Sequence, residues 1–145
     1  MSGFLLDTNV ISKFAPDKPM PSAALQTWMV EQGATDALYL SAMTISEVEK
    51  GLRQLHRKGA TARSIRLHQW LESIVTMFDD RILSFDTTVA RIAGAIEDAA
   101  IGKGCHPGQA DIIIAATAEA YGLTVVTENM KHFEPLGVKI ERPAE

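Results

Sequence analysis

The sequence predicts an α/β fold with a mostly parallel central sheet covered by helices on both faces. Short apolar or β-branched runs alternate with longer segments of helical periodicity along the whole chain, the pattern of β-α units. Two of the runs, Phe4-Leu5-Leu6 and Ile82-Leu83-Ser84-Phe85, stop at an aspartate, Asp7 and Asp86. In open α/β sheets the carboxyl ends of the strands are where ligands bind.

Taken in order, Phe4 to Leu6 reads as a buried strand with neighbours on both sides. Val10 to Phe14 forms a short helix stopped by Pro16 and Pro19, and Pro21 leads into a second helix, Ser22 to Glu31. Leu25, Trp28 and Met29 of that helix fall at helical spacing, and Gly33 closes it. Leu38-Tyr39-Leu40 is a short strand. Thr44 and Glu47 then stand at capping-box spacing before a helix with Ile45, Val48, Leu52 and Leu55 on one face, ended by Gly59. The next helix, with Ile65, Leu67, Trp70, Leu71, Ile74 and Phe78 on its buried side, makes an antiparallel hairpin with the previous one. Beyond the Ile82 to Phe85 strand, Val89, Ile92, Ala93, Ile96 and Ala100 mark a further core-facing helix, followed by a glycine-rich loop from Gly102 to Gly108. Gln109 to Tyr121 is helical and apolar around much of its circumference, so it is packed on several sides. Gly122 fits its C-cap. Leu123 to Thr127 is a strand, Met130 to Phe133 a helical turn, and Val138 to Ile140 the last strand, giving about five strands in all.

A chain of 145 residues with 46% apolar content is globular in class and fits a single domain over residues 1–145. Its one cysteine, Cys105, excludes an internal disulfide and suits a reducing compartment. With no secretory leader pattern or apolar run of membrane-spanning length, the expected location is the cytoplasm, away from membranes. The net charge of −4 gives no general attraction for nucleic acid. The segment from Lys50 to His68 is nevertheless rich in Lys, Arg and His, and a local basic surface steers polyanions. The same charges also suit two solvated helix faces.

The acids carry the functional signal. Asp7 alone reads as a helix N-cap, Glu47 as a capping-box residue and Asp86 as a cap outside any site. Asp111 differs, because it lies in the first turn of the most apolar helix, where an unpaired carboxylate is costly. The Thr127-Glu128-Asn129 segment follows another strand. Asp7, Asp86 and the Thr127 to Asn129 segment are expected at strand ends, and Glu47 and Asp111 in first helix turns, which face that same side in right-handed β-α units. Converging carboxylates need a cation, and hard oxygen donors suit Mg²⁺ or Mn²⁺. Phosphodiester hydrolysis by metal-activated water is the chemistry such a site supports best. Dinucleotide, P-loop, zinc and acyl-transfer patterns are absent from the sequence. A receiver-like phosphoacceptor lacks its central aspartate and matching lysine.

Five segments in this order resemble the PIN-domain family, in particular the VapC-like and FitB-like ribonucleases of toxin–antitoxin pairs. They are Leu6 to Ser12, Thr44 to Gly51, Ile82 to Asp86, Asp111 to Ala118 and Val126 to Phe133. The resemblance implies a three-layer α/β/α domain, commonly a homodimer, with Asp7, Glu47 and Asp111 holding Mg²⁺ or Mn²⁺. It implies cleavage of RNA and restraint by a cognate antitoxin, through which alone the protein would reach operator DNA. Thr8, Thr127, Glu128 and Asn129 are the expected supporting residues, and Arg53 and Arg57 the expected RNA contacts. Family members often carry aspartate at the position of Asn129 or of His132, and here neither is acidic. That departure motivates a competing expectation, an interaction module with a weakened nuclease site. Trp28, Trp70, Met77 and Phe78 could line a dimer face or the monomer core.

Overall fold

The computed structural model describes residues 2–145. Its centre is a parallel five-stranded sheet with strand order β3-β2-β1-β4-β5. The strands are β1 (Phe4–Leu6), β2 (Leu38–Ser41), β3 (Ile82–Leu83), β4 (Thr124–Val126) and β5 (Ile140–Glu141). The helices α1 (Thr8–Ile11), α2 (Ala23–Ala34), α3 (Ala42–Arg57), α4 (Thr61–Phe78), α5 (Thr87–Gly102), α6 (Gln109–Tyr121) and α7 (Met130–Phe133) complete a three-layer α/β/α fold. None is long and apolar enough to cross a membrane.

The central strand explains the layering. Successive strand residues point to opposite faces, so Leu5 and Leu6 enter different cores. Leu5 packs with Val125, with Ile112 and Ile114 of α6, and with Phe133 of α7. Leu6 packs with Leu38, Leu40 and Val126 against Val10, Ile11, Ile74 and Phe78. The Leu5↔Val125 and Leu6↔Val126 register keeps like faces together. A fully buried side chain of this kind contributes about 1.5–3 kcal/mol, and a β1 with partners on both edges contributes it on both faces. Gly3 lies just ahead of β1 because the neighbouring strands close in there. A Cβ would sit 3.0 Å from the Ala37 carbonyl oxygen and 3.1 Å from both Tyr39 and Leu123.

Residues 112–118 of α6 are all buried, as an all-round apolar helix requires. Gly122 ends it in the left-handed region at φ 66°, a conformation that costs glycine little.

Several expected boundaries move. Helix α2 runs through Gly33 to Ala34, and the reversal falls instead on Asp36 at φ 53°. The Gln32 carbonyl accepts from both Thr35 and Ala37 there, holding the turn. Helix α3 starts at Ala42 because Ser41, at the end of β2, caps it by accepting from the Met43 amide at 3.0 Å. Thr44 is therefore not the cap, and it is buried. Ile65 is 54% exposed on α4 rather than in the core. Strand β3 keeps only Ile82 and Leu83, after which Phe85 is exposed and Asp86 caps α5 through the Val89 amide at 3.0 Å. The last strand is shifted to Ile140–Glu141, where Val125↔Ile140 pairing places it. Of the four residues weighed for a dimer face, Phe78 is buried, Trp28 and Trp70 are half-buried and Met77 is exposed. Trp28 sets its ring edge-on to Phe4 at 5.0 Å.

Candidate active site

Asp7 sits one residue beyond β1, its amide still donating to the Val126 carbonyl at 2.9 Å. The sheet therefore fixes its backbone at the strand ends, and the residue is only 5% exposed. Oδ1 accepts from the Thr8 amide at 2.8 Å and Oδ2 from the Thr127 hydroxyl at 2.7 Å. The cap reading and the site reading both hold, one for each oxygen. Burial pushes the Asp7 carboxyl above its ordinary range, the Thr127 and Thr8 hydrogen bonds pull it back, and the charge of Asp111 pushes it up again.

Thr127 closes the network from β4. Its hydroxyl donates its one proton to Asp7 and accepts from the Asn129 amide at 2.9 Å and from Asn9 Nδ2 at 3.5 Å. A hydroxyl has one donor and two acceptor positions, so this one is fully used. Asn9 Oδ1 in turn accepts from the Glu128 amide at 3.3 Å.

Glu47 approaches from α3. Because the helix starts at Ala42, Glu47 lies in its second turn and not in its first, as capping-box spacing had suggested. Thr8 donates to Glu47 Oε1 at 2.6 Å, and the Thr8 and Thr44 hydroxyls lie 3.0 Å apart. Since Thr8 has one hydroxyl proton, Thr44 supplies the proton for that second contact. The chain Thr44–Thr8–Glu47 ties α3 to the residue after Asp7.

Asp111 does lie in the first turn of α6, whose cap residue Gly108 offers no side chain. Its side chain is 24% exposed, and His132 Nδ1 stands 3.5 Å from its Oδ2. Burial raises the Asp111 carboxyl above its ordinary range, His132 opposes the rise, and the Glu47 charge adds to it. Asp7 thus feels Asp111, and Asp111 feels Glu47. Among the described residues, however, no three His, Cys, Asp or Glu side chains are gathered into a ready-made metal cage. The donor set itself, carboxylates held by hydroxyls and amides, has the hard-oxygen chemistry of Mg²⁺ or Mn²⁺ sites.

The expected supporting residues divide. Thr8 and Thr127 contact the acids directly. Asn129 contributes its backbone amide to Thr127, and its side chain makes no capping bond to α7. Glu128 turns outward to Lys13 at 2.6 Å and leaves the acids without its charge. Arg53 is engaged by Glu49 on the same helix at 2.7 Å, and Arg57 is exposed in the last turn of α3. Thr44 and Asn9 were not anticipated as site residues, nor was the contact of His132 with Asp111. Their signal lies in pairing across distant segments, which spacing along the chain does not carry.

The PIN-domain family model matches residues 4–135. Toxin FitB of Neisseria gonorrhoeae is 37% identical over 140 residues, covering 96% of each chain. VapC ribonuclease Y4jK of Sinorhizobium fredii is 34% identical over 141 residues, covering 97% of each. The DNA-bound VapBC structure from Salmonella typhimurium superposes with a TM-score of 0.81 at 26% identity, covering 98% of each chain. The order of strands, the acids at their carboxyl ends and these matches agree: the chain belongs to the PIN-domain family and is homologous to its FitB- and VapC-type toxins.

Proposed function

We propose that this protein is a metal-dependent endoribonuclease toxin of the cytoplasm, restrained by a cognate antitoxin. The observation that carries the reading is that Thr8 joins two acids, its amide donating to Asp7 and its hydroxyl to Glu47, with the charge of Asp111 close enough to bear on Asp7. Such a group of charges is tolerated where a cation joins it. Asp7, Glu47 and Asp111 would hold Mg²⁺ or Mn²⁺, which when bound supplies charge at the scissile phosphate and acidifies a water. The chain's own part is orientation: Thr127 and the Thr8 amide aim Asp7, Thr8 aims Glu47, and α6 presents Asp111 from its positive end. Arg53 and Arg57 on α3 are the proposed RNA-backbone contacts. An antitoxin that reaches DNA is supported by the likeness to the DNA-bound VapBC complex, and the homodimer is what the family resemblance implies.

Expression alone and together with the neighbouring reading frame, with mapping of RNA ends, tests this reading. Growth arrest with discrete new RNA ends, relieved by the neighbour and lost in Asp7→Asn, is expected. Asn129 and His132, standing where family members often carry aspartate, motivate a second reading, an interaction module with a weakened nuclease site. Calorimetric titration with Mn²⁺ separates the two, since the module would bind none at millimolar metal.

A further inference from the structure

Next to Asp111, a cavity of about 440 Å³ opens between the loop after α5 and α7. It falls in the range of small-molecule sites, about 300–1,000 Å³. One wall is His106, Pro107 and Gly108, and the other is Lys131 and His132, with Asp111 at the junction. The loop is fastened at both sides. The Cys105 amide donates to the Ala100 carbonyl at 2.9 Å, and Lys103 Nζ to the Pro135 carbonyl at 3.4 Å.

The chemistry of the two walls is complementary to a nucleotide. Lys131 is exposed and, like Arg57, makes no ion pair among the described residues, whereas Lys13, Arg53 and Arg63 are each paired with an acid. His132 stands against Asp111, so the edge of the acidic site facing this cavity carries a ring nitrogen as well as a carboxylate. His106 and Pro107 offer flat faces, and unpaired RNA bases are bound by stacking on such rings, including imidazole.

We infer that this cavity is a subsite for one nucleotide of single-stranded RNA beside the scissile phosphate, with Lys131 on the backbone phosphate and His106 against the base. The inference rests on the nuclease reading insofar as Asp111 marks the point of cleavage. It adds a contact at the loop–α7 cleft to those proposed for Arg53 and Arg57 on α3.

Fluorescence anisotropy with a labelled single-stranded RNA decamer, in EDTA, reads the subsite without cleavage. Lys131→Ala should weaken binding about 5–10-fold and make the log–log salt dependence shallower by roughly 0.7, the release expected for one single-strand phosphate contact. Lys131→Arg should restore both, and His106→Ala should weaken binding about tenfold with the salt slope unchanged. Wild-type affinity in Lys131→Ala, or no RNA binding by the wild type, overturns the subsite. Cleavage with Mg²⁺ is measured in parallel. A wild type that cleaves RNA while its binding ignores Lys131 refutes the subsite alone. One that binds through Lys131 but never cleaves refutes the nuclease reading alone.

Discussion

The Thr127 hydroxyl donates to Asp7 Oδ2 at 2.7 Å across 120 residues of chain. Thr127 is wholly buried, and it is held in turn by the Asn129 amide and Asn9. The orientation of one carboxylate is thus set by the pairing of β1 with β4. Thr127→Val keeps the shape and removes the donor, leaving a buried carboxylate oxygen unsatisfied. The expected cost is about 1–3 kcal/mol, read as a lowered midpoint in chemical denaturation, together with a loss of RNA cleavage. Thr127→Ser retains the hydroxyl and should retain most of both.

Thr8 does for Glu47 what Thr127 does for Asp7. Its backbone amide also serves Asp7, and that contact survives side-chain replacement. Thr8→Val therefore frees Glu47 while leaving the Asp7 cap intact. Loss of such an orienting partner typically costs about 10–100-fold in metal affinity, so Mn²⁺ titration of the variant should show a weakening of that order.

The raised carboxyls make a signed pH prediction in the absence of metal. Asp7 unfolds to an ordinary value of 3.8 and is higher in the fold, chiefly through burial. Below the unfolded value both states are protonated and there is no penalty. As pH rises through the folded value the native state must ionise a buried acid, and stability is lost. The difference in melting temperature, Asp7→Asn minus wild type, should therefore grow from pH 4 to pH 7. A growth of about 2–4 °C corresponds to ~1 kcal/mol in a chain of this size. Added Mn²⁺ should reverse the trend in the wild type by stabilising the ionised native state.

Much of this architecture was legible along the chain because its signals are local. The strand that stops at Asp7, the all-round apolar helix with Asp111 in its first turn and the five motifs in order each depend on neighbouring residues. Glu47 shows where locality fails. The Thr44–Glu47 spacing points to a cap at Thr44, but the end of β2 places the cap at Ser41. That choice moves Glu47 one turn inward and frees Thr44 to meet Thr8. The last strand lies outside local signals for a similar reason: two residues of ladder carry no periodicity, and only pairing with Val125 sets their position. The contacts Thr8–Glu47, Thr127–Asp7 and His132–Asp111 depend on the register of parallel strands, which no single segment encodes.

Phe133 joins the core to the site. It is wholly buried among residues of β1, α5 and α6, and it follows His132 directly. Phe133→Ala should cost about 3–5 kcal/mol, seen as a large drop in thermal stability. Phe133→Leu, nearer in volume, should recover most of it and with it the placement of α7.

Cleavage of RNA by the purified protein, followed over time with Mg²⁺ or Mn²⁺ and with EDTA, measures the central claim directly. The account predicts endonucleolytic products from the wild type with metal, none with EDTA, and a loss of several orders of magnitude in both Asp7→Asn and Asp111→Asn, since these acids would serve the transition state. Equal cleavage by wild type and Asp7→Asn, in preparations shown free of other nucleases, would contradict it.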